Sequence, residues 1–274
     1  MKKFNRRTKV VLLTAMMTVI LSVIYAVGIL IPEDAVASSF LNAQKPPSME
    51  HPFGTDALGR DLLLRTLKGM AVSMSVGLTA SLVSAGIAVL AGIAAATGSK
   101  YIDASINWLI DLVMSVPHTI LVILISFSMG RGLKGLLIGI AATHWCSLAR
   151  LIRGEVLQLR SQQYVLISRK LGKSGRWILV HHMLPHLAPQ FLVGLVLLFP
   201  HAILHEASVS FLGFGLSPEQ PAIGIILSES MRYISTGIWW SAVFPGLSLA
   251  LMVLLVDKLA DCLRIIIDPC SAQE

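Results

Sequence analysis

Two histidines, His201 and His205, stand four residues apart in an otherwise apolar run. On a helix that spacing puts both imidazoles on one face, where they suit a transition metal or the handing-on of an ion; the plainer reading is that each bonds to a neighbouring helix. The pair His205-Glu206 begins like a zinc-protease helix, but Ala207, Ser208 and Val209 follow, so the second histidine ligand is missing. Between His201 and His205 the place of the catalytic glutamate holds Ala202. The tripeptide Gly172-Lys173-Ser174 could close a phosphate-binding loop, yet the glycine needed five positions earlier is Ile167. No Gly-x-Ser-x-Gly turn occurs, which removes the usual serine-hydrolase site. These tests leave no catalytic residues, and they point away from an enzyme.

What must position such groups is set by composition. The 274 residues are 55% hydrophobic and 14% charged, with mean hydropathy +0.75, against roughly 25% charged in soluble domains. This is a membrane protein, and its basic balance is a matter of topology rather than of nucleic acid. Spans of about 20 apolar residues are predicted at Val10–Ile31, Ala71–Ala96, Ile106–Met129, Leu133–Leu148, Leu187–Leu212 and Ile238–Leu263. The first is longer than a signal-peptide core and reads as a retained helix. With the N-terminus in the cytoplasm, fifteen of the 22 Lys and Arg residues fall on the inner side, as the positive-inside rule asks. Both termini are then cytoplasmic. The expected organisation is an N-terminal helix with an outer loop over residues 1–70, then a five-helix core over 71–274. Cys146, Cys262 and Cys270 have unrelated spacings and read as reduced thiols.

Ionisable groups within spans are costly and mark a pathway or an internal pair. Asp111, His118, His144, His201, His205, Glu206 and Asp257 qualify. His144, His201, His205 and Glu206 are the candidates for a translocation path, with His201 and His205 as a transient metal pair.

The inner segment from Arg150 to His186 carries seven Lys/Arg against the single acid Glu155 over its first part, with Leu151, Ile152, Val156, Leu159, Val165, Leu166 and Leu171 near helical spacing. An amphipathic platform of this kind can touch anionic lipid. It can equally hold a short helix between two turns that fits a partner's groove. Gly172 is a natural helix stop, and Pro185 is expected to redirect the chain.

This segment resembles the coupling motif of ABC importer permeases, in which Glu-Ala-Ala is followed by Gly and then His-x-Leu-Pro. Gly172, His182, Leu184 and Pro185 match, while Leu166-Ile167-Ser168 replaces Glu-Ala-Ala. A second stretch, HPFGTDALGRD, with Gly54, Thr55, Asp56, Gly59, Arg60 and Asp61, is similar to one found before the second span in permeases for dipeptides, oligopeptides and nickel. Trp145–Arg153, Ser210–Gly215 and the Asp261–Pro269 tail also resemble that family.

The resemblance implies an all-α polytopic permease with a six-helix type I bundle, the second of two paired subunits. It implies a coupling helix at about residues 160–182, with Arg169, Lys170, Gly172, His182, Leu184 and Pro185 facing the ATPases. It further implies partners: a second permease subunit, ATP-binding subunits and an extracytoplasmic solute-binding protein, in the inner membrane of a prokaryote. ATP and magnesium would sit on the partners, with no cofactor on this chain. His144-Trp145, Leu204-His205 and Leu166-Ile167-Ser168 look more like the nickel-type subunit, favouring nickel or a metal chelate, with di- or oligopeptides as the alternative. A non-transporting membrane assembly protein is the reading from another class.

Overall fold

The computed structural model describes residues 6–267; Lys2, Lys3, Cys270 and the end of the matched tail lie outside them. Among the described residues ten α-helices are distinguished: α1 Arg6–Leu30, α2 Leu62–Thr97, α3 Lys100–Ser115, α4 His118–Ser128, α5 Gly132–Arg160, α6 Gln163–Lys170, α7 Gly175–Ile178, α8 Leu184–Phe211, α9 Ile223–Met231 and α10 Trp240–Ile267. Among the described residues, β pairing amounts to an isolated bridge between Thr55 and Asp61. Five helical stretches are long and apolar enough to cross a membrane, or six if the bent α3–α4 pair is one span. The chain is therefore a polytopic all-α membrane protein.

Helix α2 is the spine of the bundle. It starts at Leu62, capped by Asp61, whose carboxylate accepts the Leu64 amide at 2.9 Å, and it runs unbroken past residue 70, where the expected core begins. Its buried face is rich in small residues such as Ala80, Ser81, Ser84, Ala85 and Ala88. Small residues let membrane helices approach closely, because packing rather than water drives their association. A Cβ at Gly92 would stand only 2.8 Å from the Ala149 carbonyl oxygen of α5. Ile152, Val156, Leu148 and Leu187 fill the layer beside it, while Met70, Met74, Ile203, Met252 and Val256 form another between α2, α8 and α10. Helix α1 lies on the periphery. It buries Met17 and Leu21 but leaves Val11, Leu12, Val19 and Leu30 exposed, as befits a helix covered by lipid or by another subunit.

Two expectations are corrected. The third span is not one rod: α3 and α4 meet at 98°, because Pro117 cannot supply an amide to the preceding turn and disfavours helical backbone at Val116. Pro185 does not turn the chain. Residues Leu179–Met183 form a π turn that joins α7 to α8, so helix continues from Gly175 to Phe211. The wider turn and the proline's place in the first turn of α8 remove the need for the amide that Pro185 lacks.

Candidate functional site

At the end of the bundle bearing α6, chain direction is set by Gly172, whose φ of +78° is left-handed and suits a residue without a Cβ. The helix α6 before it is tethered by Val165, fully buried with Ile178, Met183 and Leu159. Its other face carries Ile167 and Leu171, the latter 74% exposed, and Arg169 and Lys170, both also exposed. His182 Nε2 lies 3.1 Å from the Ser168 hydroxyl, and its ring packs edge-on against Tyr164 and Trp177. Ser168, one of the residues that depart from Glu-Ala-Ala, thus ties α6 to the turn before α8. Lys173 sits 4.7 Å above the Trp177 ring. Leu184 is exposed and Pro185 borders a separate cavity with His186 and Arg264. The product is a short, held helix presenting both cations and bare aliphatic side chains, a surface of the kind that seats in a groove.

Since nothing lies within 4 Å of where a Gly172 Cβ would be, a substitution there acts through backbone strain alone. Gly172→Val is expected to disfavour this turn by about 1–2 kcal/mol and to reduce co-purification of ATPase subunits more than Arg169→Glu does, because exposed ion pairs contribute little. Pull-down of the ATPases with each variant measures the difference.

On the opposite side, the loop before α2 is a charge clamp. Asp56 accepts the Leu58 and Arg60 amides, both at 2.9 Å, and the Arg60 Nε at 2.6 Å. Arg65 Nη1 reaches Asp56 and Glu229 at 2.8 Å each, and Arg60 Nη2 reaches Glu229 at 2.7 Å. Thr55 Oγ1 donates to the Asn42 carbonyl at 2.6 Å. His51 meets Asp61 at 2.7 Å. Gly59, with φ +73°, has the Ser39 carbonyl where its Cβ would be. Sequence reasoning noted Asp56 and Arg60 but missed Arg65, four residues past the motif, and Glu229, whose distance along the chain hides the contact.

Within the bundle, His205 meets rings from two other helices. One ring nitrogen each from His118, His144 and His205 lie within 4.8 Å of one another, brought together by α4, α5 and α8. Ring centroids are 4.4 Å apart for His118–His144 and His118–His205, and 5.1 Å for His144–His205. His201 borders the same cavity, of about 220 Å³, with Met114, Cys146 and Ser147, but it is exposed and outside the three-nitrogen group. The expected pair of His201 and His205 therefore borders one cavity, and the three-nitrogen group adds rings from two other helices to His205. Glu206 is corrected. It is fully buried, accepts the Ser210 hydroxyl at 2.9 Å, and lies about 100° around α8 from His205, outside the residues that line the cavity. Asp111 pairs with Arg150, and Asp103 holds Arg153 by two bonds of 2.6 Å; these pairs strap α3 to α5, and Asp103 escaped sequence notice. Asp257 is exposed.

The described residues thus form a membrane bundle with a short, turn-bounded helix at one end and a histidine-lined cavity between its helices. Residues 87–270 match the family described as binding-protein-dependent transport system inner membrane component. The chain is similar to the dipeptide transport system permease protein DppC of Bacillus subtilis, 33% identical over 238 residues, covering 87% of this chain and 74% of the relative. To the oligopeptide transport system permease protein OppC of the same organism it is 34% identical over 236 residues, 86% and 77% of the two chains. With the Mycobacterium tuberculosis OppC it shares 31% over 273 residues, 98% and 93%. The chain belongs to the family of binding-protein-dependent inner-membrane transport components. It is a multi-pass permease subunit of an ABC importer.

Proposed function

We propose that this subunit forms part of the translocation pathway for di- or oligopeptides and works by alternating access. The observation that carries the solute is the naming of the relatives just described, each a dipeptide or oligopeptide permease. The nickel preference drawn from His144, His205 and Leu166-Ile167-Ser168 has no counterpart in those names and gives way to the peptide alternative. A metal chelate stays as the second reading, favoured by the convergence of His118, His144 and His205.

ATP and magnesium belong to partner subunits that dock beneath α6, at Arg169, Lys170, Gly172 and the Ser168–His182 tie. Closure of the ATPases then biases the bundle between inward- and outward-facing packings, as any ligand with unequal affinity for two states does. A second permease subunit completes the pathway, and a solute-binding protein delivers to the side of the Asp56–Arg65–Glu229 clamp. Both termini face the cytoplasm, on the evidence of the basic residues around α6.

Reconstitution of the importer with both permeases, ATPases and binding protein tests the solute. ATP-dependent accumulation of labelled dipeptide, at least tenfold above a no-ATP control, is the expected outcome. Accumulation of labelled nickel without peptide would replace the peptide reading with the second one.

A further inference from the structure

Nothing in apolar packing brings three imidazoles together inside a membrane bundle. Each ring carries two polar nitrogens that cost free energy when buried without partners, and the protein satisfies them only in part. His144 is 7% exposed. Its Nδ1 stands 3.0 Å from the Ile140 carbonyl, 3.2 Å from His118 Nε2 and 3.3 Å from Thr143 Oγ1. The carbonyl can only accept, so it favours the tautomer with the proton on Nδ1 and a free lone pair on Nε2. That Nε2 is buried and has no hydrogen-bond partner. A histidine fixed through one nitrogen to a backbone carbonyl, with the other nitrogen bare, is in the form in which imidazoles bind metals.

The other two rings complete the arrangement. His144 packs edge-on against both His118 and His205, at 79° in each case. All three line one cavity with Met114 and Cys146. The nearest acid along the chain, Glu206, is turned into the core, so the group is one of nitrogens with sulfur nearby, and of no carboxylates. Hard cations such as magnesium and calcium want oxygen, whereas neutral imidazole suits zinc, nickel, copper and cobalt. Metal–nitrogen bonds of about 2.0–2.1 Å at tetrahedral angles put ligand atoms about 3.4 Å apart. One nitrogen of each ring lies within 4.8 Å of the others, so closure needs a shift of at most about 1.4 Å by that same geometry. His118, as the first residue of α4 beside the Pro117 bend, is placed to supply it.

We propose that His118, His144 and His205 form a binding site for a divalent transition-metal ion within the membrane bundle. Three protein ligands leave at least one coordination position open, as in metal sites that exchange ligands. Donor atoms of the arriving solute fill that position, so the site takes a metal presented with a small nitrogen- or oxygen-bearing chelator as readily as the ion alone. The inference concerns the site and does not require the peptide reading: a peptide importer with bound metal, or a metal importer, would each contain it.

The test uses the intact importer complex in lipid nanodiscs, purified without a histidine tag, with cobalt(II) and nickel(II) salts as probes. Equilibrium dialysis is expected to show one ion lost per complex when His118, His144 and His205 are replaced together by glutamine. His144→Gln alone should weaken binding by more than the roughly 10–100-fold that loss of an outer-shell partner costs. X-ray absorption of the nickel-loaded wild type should show two or three imidazoles around the ion, a reading that does not depend on any variant folding. Unchanged stoichiometry and affinity in the triple variant, or a nickel spectrum without imidazole scattering, would overturn the proposal. Peptide accumulation, measured separately on the reconstituted importer, decides the solute reading whichever way the metal titration falls.

Discussion

Replacing Arg65 with methionine is expected to lower stability by about 3 kcal/mol and to cut the yield of detergent-extracted protein severely. Arg65 is 3% exposed and bridges Asp56 and Glu229 with two contacts of 2.8 Å. Breaking a buried ion pair from one side costs about 3–5 kcal/mol because the remaining charge is stranded; Glu229 reaches solvent in part, which argues for the lower end. The substituted chain keeps Arg60 against the two acids, so the loss is partial. Its consequence is nonetheless wide, since the clamp ties the loop before α2 to α9. Thermal denaturation of the purified subunit, followed by tryptophan fluorescence, checks the figure. A melting temperature equal to wild type would mean that the clamp contributes no net stability. Adding Glu229→Gln should return part of the loss, because it removes one of the stranded charges.

Val165→Asp should abolish ATP-driven uptake while leaving the membrane bundle intact. Val165 is the residue of α6 that reaches the core, at 0% exposure, and a carboxylate cannot be buried there without a partner. Rather than bury it, α6 lets go of Ile178, Met183 and Leu159. The Ser168–His182 bond is lost with it, and the surface proposed to dock the ATPases loses its fixed shape. Two readouts separate this from unfolding: ATPase subunits fail to co-purify, and limited proteolysis cuts between residues 161 and 175 while the spans stay protected. Retained ATPase binding with protected α6 would show that Val165 is not the anchor.

The spans were legible because twenty or so apolar residues in a row have one physical reading. Gly172 and the HPFGTDALGRD stretch were legible because short motifs carry their geometry locally. Three things were not. The bend between α3 and α4 was signalled by Val116-Pro117, but the predominantly apolar character of Ile106 to Met129 outweighed it. The π turn leaves no mark in composition. The three-histidine group was hidden for a deeper reason: helical periodicity tells which residues share a face on one helix, and so it offered His201 as the partner of His205. Which faces meet across helices depends on packing angles and on small residues such as Gly92, and a single sequence does not encode these in any local pattern. The same holds for Arg65 with Glu229 and for Arg153 with Asp103.

The π turn at Leu179–Met183 has a meaning for chain length. A π turn accommodates one residue more than the α-helix around it, so the stretch from Gly175 to Phe211 holds one residue beyond what a regular rod of its span would need. That surplus sets a phase. The part of the rod that meets α6 through His182 and the part that carries His205 are offset by one residue, about 100° of rotation, from the relation that an unbroken α-helix would give them. Shortening the chain by one residue between 179 and 183 would erase the bulge and leave no gap, yet it would swing one end of the rod against the other. The phase between the α6 contact at His182 and the cavity at His205 is thus fixed by counting residues along the rod.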